Sequence, residues 1–228
     1  MTTNKLLIIG ADSDLIQPLV GSASAFDIDI LPLRRVDWDL TDPNPPADVL
    51  DRIAHFSPNH LLYSAGLNSP QNIKQDVDLT LGAMADHLSV NCLSFLSVVL
   101  HVQALSDNPL LSIHALSSLY GIYGRKTRLP YCVSKHALEG AVKCLATELP
   151  STLVLAYRPG FFKTKLTDKN LTPEMQAKLV KRIPASRFGQ PSDLSSLILQ
   201  NIIKPPLYAS GTAITMDGGL TAGGIFEL

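Results

Sequence analysis

Short apolar runs alternate with longer stretches of helical period along the whole chain. The runs are rich in leucine and β-branched residues without polar alternation, the pattern of strands covered on both faces. The stretches between them repeat apolar positions every three or four residues, as helices packed on one side do. Strands are expected at Lys5 to Gly10, Ile28 to Leu33, His60 to Ser64, Leu110 to Ala115, Leu153 to Tyr157 and Ala213 to Met216. Helices are expected at Asp14 to Ser24, Ala47 to His55, Thr80 to Gln103, Pro130 to Glu148, Pro173 to Arg182 and Pro191 to Ile203. Three of these helices open on proline, whose missing N–H costs nothing at the first helical positions. Regular βα alternation builds a parallel sheet with helices on both faces. Between Leu33 and Asp37 there are only three residues, whereas a parallel crossover needs about a dozen. The expected fold is therefore an α/β, doubly wound, mostly parallel Rossmann-like sheet of about six strands, with one outer βα unit missing.

Length and composition narrow the picture further. A chain of 228 residues, 46% apolar, suits one domain over 1–228 with a large core. A net charge of -1 supplies no bulk field for nucleic acid or an anionic membrane, so neither partner is expected. No apolar run approaches the roughly 18 residues of a spanning helix, and LSFLSVVLHV reads as a buried helix. The start, MTTNKLLIIG, reads as a first strand without a leader. Cys92, Cys132 and Cys144 form no CxxC pair, which suits reduced, buried thiols and a cytoplasmic location. The six histidines are scattered and no metal site is expected.

Candidate chemistry lies in SSLYGIYGRKTRLPYCVSK, residues 117–135. On a helix starting near Pro130, Tyr131 and Lys135 are four positions apart and face the same way. An ammonium beside a phenol stabilises phenolate and is expected to lower the tyrosine pKa toward the range of an acid/base catalyst. Ser118 follows the expected strand ending at Ala115, and open α/β sheets bind ligands at the carboxyl ends of their strands.

With its surroundings this set resembles the short-chain dehydrogenase/reductase family over essentially the full length. Ser118, Tyr131 and Lys135 match the family triad, and SVNCLSF puts Asn91 at the fourth catalytic position. YSAG at 63–66 is similar to the N-A-G strand end, with Ser64 in place of asparagine before Ala65 and Gly66. RPGFFKT at 158–164 matches P-G-x-x-x-T through Pro159, Gly160 and Thr164, with Phe162 between them. RFGQPSD at 187–193 and SGTAITMDGG at 210–219 match two further family segments. The resemblance implies hydride transfer between a nicotinamide cofactor and a small carbonyl or alcohol. Tyr131 would be the proton donor or acceptor, and Lys135 would lower its pKa and bond the nicotinamide ribose. Ser118 would orient the substrate oxygen, and Asn91 would hold a water in a relay to Lys135.

The family's glycine loop reads T-G-x-x-x-G-x-G. Here GADSDLI, residues 10–16, keeps Gly10 but places Asp14 and Ile16 at the other two glycine positions. A carboxylate at Asp14 opposes a diphosphate, although aspartate is also a good helix cap. Cofactor contacts are expected from Gly10, Ser13, Asp14 and Leu15, from Ser64, Ala65 and Gly66, from Tyr131 and Lys135, and from Pro159, Gly160, Phe162 and Thr164. LPLRRVDWDLTD sets Arg34 and Arg35 just past the second strand, where a ribose 2′-phosphate would fall, so NADP(H) is favoured over NAD(H). An exposed, solvated arginine pair is the alternative. Asp39 and Leu40 resemble the adenine-binding D-[VL]-[TS]-D.

Specificity is expected from Tyr120 and Tyr123 after Ser118, and from the stretch between Phe161 and Gly189. Arg125, Lys126 and Arg128 form a small basic cluster, as suited to solvated surface as to an anionic substrate. In the family, helices carrying the Asn91 and Tyr131 equivalents commonly form a dimer surface, which implies a homodimer or homotetramer. Two functions follow: an NADP(H)-preferring carbonyl reductase or alcohol dehydrogenase, or a non-catalytic binding or regulatory protein on the same fold. The complete Ser118, Tyr131, Lys135 and Asn91 set favours the first; the depleted loop favours the second.

Overall fold

A computed structural model describes residues 3–72, 77–106 and 110–224. Six strands form one parallel sheet: β1 (Asn4–Ile9), β2 (Ile28–Leu33), β3 (His60–Tyr63), β4 (Ser112–Leu116), β5 (Leu153–Pro159) and β6 (Ala213–Met216), in the order β2-β1-β3-β4-β5-β6. The missing outer unit is a fact of this order: β2 is the edge beside β1, and the chain returns through α2 (Ala47–Phe56) to β3 on the other side of β1. Pro32 of β2 stands in register with Ile8, and a strand proline is tolerated at an edge, where one side of the backbone needs no partner.

Strand alternation divides the core into two layers. Leu7, Ile9, Leu61, Tyr63, Val154 and Ala156 face one layer, which α2, α4 (Ser94–Leu105) and α5 (Leu129–Glu148) cover through Val49, Ile53, Val98, Val102, Leu138 and Val142. Leu6, Ile8, Leu62, Leu155 and Tyr157 face the other, covered by α1 (Gln17–Ser22) and α8 (Pro191–Ile203) through Leu19, Leu194 and Ile198. Helix α3 (Val77–Leu88) continues into α4 through a single π turn at Ser89–Leu93.

Two expectations are corrected here. The helical run Val77–Leu105 is 29 residues long and apolar enough, by length and composition, to cross a membrane. Phe95, Val98, Val99 and Val102 of this run nonetheless lie at 0–1% exposure in the core. Cys92 and Cys132 are buried as expected, but Cys144 is exposed, because the helical period turns position 144 of α5 toward solvent.

A file of buried polar groups crosses the sheet. His60 bonds Asn4 Oδ1 (3.2 Å) and Ser112 Oγ (2.7 Å), Ser112 Oγ bonds His114 (2.7 Å), and His114 bonds the Tyr157 hydroxyl (2.9 Å), which accepts from Asn201 Nδ2 (3.0 Å). Burial pushes His60 down to about 4 and His114 to about 3, the latter helped by the neighbouring His60. The unfolded chain protonates both near pH 6.5, so it binds more protons than the folded chain between that pH and the folded values of about 4 and about 3. Stability is therefore fully present above about pH 6.5 and declines as pH falls toward 4. Urea denaturation at pH 7 and pH 4.5 is expected to differ by about 2 kcal/mol per histidine. Paired carboxylates lose their contribution at lower pH, so equal stabilities at these two values would contradict the neutral file.

Candidate functional site

The order of the strands reverses between β1 and β3, and the site lies over this switch point. Gly10 follows β1 with φ +82, and a Cβ there would lie 2.5 Å from Ala65 N. Only glycine allows the loops after β1 and β3 to close this far. Ser64 Oγ donates to the carbonyls of Ile9 (3.1 Å) and Gly10 (2.8 Å), tying the loops together.

A cleft of about 960 Å³ opens there. One end is bounded by Arg34, Arg35, Trp38, Asp39 and Leu40; the middle by Gly10, Ser13, Asp14 and Leu15 on one wall and Ser64, Ala65 and Gly66 on the other. The far end holds Ser118, Tyr120, Arg125, Arg128 and Tyr131, with Pro159, Gly160, Phe162 and Thr164 opposite. Residues separated by most of the chain thus share one wall. Asn91 and Lys135 do not line the cleft; they lie behind it at 0% and 3% exposure.

Helix α5 starts at Leu129 with Pro130 in its first turn, and Tyr131 and Lys135 are both buried on the same side. The Tyr131 ring meets Tyr120 edge to face at 6.1 Å, and Lys135 Nζ lies 5.8 Å from the Tyr131 ring centroid. The expected lowering of the Tyr131 pKa by Lys135 is corrected by the structure. Burial pushes Tyr131 up to about 12, opposed by a hydrogen bond from Ser118 and by the charge of Arg128. Lys135 is itself pushed down to about 8 by burial, and its Nζ donates to the Leu116 carbonyl at 2.6 Å. One of the three N–H groups of the ammonium is thus held by the end of β4.

Asn91 sits in the π turn, a helix irregularity that frequently marks functional sites. Its Oδ1 accepts from Leu67 N–H (2.8 Å), and its Nδ2 donates to the Leu67 carbonyl (3.0 Å) and Ser134 Oγ (2.8 Å). The amide side chain clamps the loop after β3 onto α5. The same turn and the first residue of α4 anchor the other end of the cleft: Ser89 Oγ donates to the carbonyls of Leu40 and Thr41, both at 2.8 Å, and Ser94 Oγ to Leu40 O at 3.0 Å. Thr41 N–H and hydroxyl hold Asp39 below the usual carboxylate range.

Asp14 opens a 3-10 turn (Asp14–Ile16) before α1. Its carboxylate accepts the Lys165 backbone N–H at 2.9 Å and faces Lys165 Nζ at 3.8 Å. Lys165 begins a short helix, α6 (Lys165–Asn170), capped by Thr164, followed by α7 (Pro173–Val180). The stretch after Phe161 is thus two helices in part, and Leu171 and Met175 line the cleft. Tyr123, expected beside Tyr120, is not among the lining residues and is 40% exposed. Asp12, absent from the expected set, pairs with Arg34 at 3.1 Å. The two aspartates of GADSDLI, separated by Ser13, carried no mark of which carboxylate would meet Arg34.

Behind the cleft lies a buried carboxylate, Glu139, two turns along α5 from Tyr131. Arg158 donates to it from Nε (2.8 Å) and Nη2 (2.5 Å), and Ser117 Oγ donates at 2.6 Å. A Cβ at Gly121 would approach Glu139 Oε1 to 2.2 Å, so the turn after Ser118 is moulded onto this group.

A family model described as enoyl-(acyl carrier protein) reductase matches residues 31–221. The chain is 37% identical over 111 residues to the 3-oxoacyl-[acyl-carrier-protein] reductase of Thermotoga maritima, a match covering 48% of this chain and 45% of that protein. The chain spans about half the length of the curated relatives it matches, or less. Among solved structures, 4-hydroxyisoleucine dehydrogenase complexed with NADH superposes with a TM-score of 0.85 at 22% identity, covering 96% of this chain and 100% of that one. A putative NAD(P) dependent gluconate 5-dehydrogenase from Beutenbergia cavernae with bound NADP gives 0.85 at 22% identity, covering 97% and 98%. These two likenesses establish the fold.

Proposed function

The chain belongs to the short-chain dehydrogenase/reductase family, and from that membership we propose an oxidoreductase that moves hydride between a nicotinamide dinucleotide, NADP(H) in preference to NAD(H), and a small carbonyl or alcohol. The observation that carries this reading is one continuous cleft with Arg34 and Arg35 at one end and Ser118 and Tyr131 at the other.

The residues present fit a dinucleotide. The volume is within the range of cofactor sites. The carboxylate at the altered glycine position is turned onto Lys165, whose backbone N–H and ammonium answer its charge. Arg34 and Arg35 would hold the 2′-phosphate end, Asp39 and Leu40 the adenine end, and Ser64, Ala65 and Gly66 the middle. Gly10, Ser13 and Leu15 would hold the diphosphate, and Pro159, Gly160, Phe162 and Thr164 the nicotinamide end.

The chemistry that a reduced nicotinamide would supply when bound is hydride for the carbonyl carbon. Tyr131, held protonated by burial, gives its phenolic proton to the carbonyl oxygen, and Ser118 orients that oxygen. Both hydroxyls act most strongly on developing alkoxide charge, which is how they lower the barrier. Lys135 supplies positive charge behind Tyr131, and Asn91 keeps the loop after β3 pinned to α5. These fixed donors form the wall on which the reacting oxygen rests.

Replacing Arg34 and Arg35 together with alanine is expected to weaken NADPH binding about 10-fold or more while changing NADH much less. Calorimetric titration with both dinucleotides reads this, and equal losses would remove the phosphate assignment. A homodimer or homotetramer is part of the same reading, supported by exposed Leu81, Leu93, Leu100, Leu129 and Val133 on α3, the π turn, α4 and α5. Light scattering of the purified chain measures it.

A further inference from the structure

The geometry points to a carbonyl substrate that carries its own anionic group, a carboxylate or phosphate, held by Arg125 and Arg128. This rests on the reductase reading above and names the class of its substrate.

Charge is distributed unevenly along the cleft. The three carboxylates that line it, Asp12, Asp14 and Asp39, all belong to the dinucleotide end or middle. Each is engaged: Asp12 with Arg34, Asp14 with Lys165, Asp39 with Thr41. The substrate end has no lining carboxylate but two guanidinium groups, Arg125 and Arg128.

Both are fixed by neutral partners. Arg125 Nη1 donates to the Tyr120 hydroxyl at 2.5 Å, and the guanidinium lies 5.4 Å from that ring's centroid. Arg128 Nη1 donates to the Asn68 carbonyl (3.2 Å) and Oδ1 (3.1 Å). Among the described residues neither arginine forms an ion pair. A guanidinium has five N–H donors, so each keeps donors beyond those bonds.

Position links this charge to the chemistry. The Tyr120 ring that Arg125 covers packs edge to face on Tyr131. Arg128 immediately precedes α5, one turn before Tyr131, and its charge reaches the phenol. Arg125 is exposed and Arg128 half-buried, so a neutral ketone would leave both cations to water alone. An oxo acid or oxo phosphate would place its anion on a held fork and its carbonyl against Tyr131 and Ser118.

The test compares matched substrates at saturating NADPH: 2-oxobutyrate, acetoacetate and 3-oxohexanoate against their ethyl esters, and dihydroxyacetone phosphate against dihydroxyacetone. For at least one pair kcat/KM for the anion is expected to exceed that of its neutral partner by about tenfold or more. In Arg125→Ala and Arg128→Ala that ratio is expected to fall toward one. Neutral partners reduced as well as the anions, or a ratio that survives both substitutions, would overturn the proposal. If NADPH binds but no compound is reduced, hydride transfer fails as a separate reading, and binding decides the charge proposal. A saturable change in bound NADPH fluorescence with the anions alone, lost in both variants, supports it; no saturable effect from any anion overturns it.

Discussion

Tyr131→Phe is expected to lower kcat for carbonyl reduction by about 10³-fold while leaving NADPH affinity and thermal midpoint near those of the parent chain. The substitution removes one oxygen and keeps the ring that packs against Tyr120 at 6.1 Å. What is lost is the proton of Tyr131; Tyr120 lines the same wall, with its hydroxyl oxygen accepting from Arg125 and its ring turned edge to face on Tyr131. The pH dependence has a definite sign. Tyr131 is pushed up to about 12 by burial and Lys135 down to about 8. At neutral pH the phenol is protonated and the lysine charged, the combination a reductase needs. Reduction should hold below about pH 8 and decline above it as Lys135 loses its proton. Undiminished turnover in Tyr131→Phe would take the tyrosine out of the mechanism. A profile still rising well past pH 8 would detach Lys135 from it.

Glu139→Ala is expected to cost about 3 kcal/mol of stability, the lower end for breaking a buried ion pair. Its side chain is 5% exposed and that of Arg158 17%, so Arg158 regains some water when its partner is removed. For a chain of this length the thermal midpoint should fall by roughly 10 °C. Activity should fall beyond what unfolding explains, because Glu139 holds Ser117 beside Ser118 and Arg158 beside Pro159, the ends of β4 and β5 at the cleft. Its negative charge also favours the ammonium of Lys135, against the burial that lowers it. Glu139→Gln keeps the shape and loses the charge, so the high-pH decline of reduction should move to lower pH in that variant. An unmoved profile would leave Glu139 a purely structural group. A thermal midpoint unchanged in Glu139→Ala would contradict the buried pair itself.

The fold was legible because its signals are local and repeated. Runs such as KLLIIG and LVLAY have no polar alternation, which a sheet covered on both faces requires, and Pro130, Pro173 and Pro191 mark real helix starts. The missing unit was readable as simple length after Leu33. The residues expected at the site gather around the cleft because the strand ends of a parallel sheet point the same way. What escaped depends on contacts between distant segments. Helix α6 is six residues long, too short for a period to show. Asn91 was placed at the site by resemblance alone, and its partners Leu67 and Ser134 show only once the π turn aims it at them. His60, Ser112 and His114 are polar interruptions in apolar strands whose partners become visible only once β3 and β4 are adjacent. The error over Tyr131 has the same origin: spacing set Lys135 one turn away, but burial of the phenol, which spacing does not show, outweighs the neighbouring charge.

The absence of the outer βα unit also bears on how the molecule survives at high concentration. A sheet that stops at β2 presents an unpaired row of backbone groups, the kind of border on which another chain can add a strand. Pro32 deletes one donor from that row, and Asp29 is an exposed charge three residues before it. The border at β2 thus carries a missing donor and an exposed charge, both of which discourage strand-to-strand aggregation.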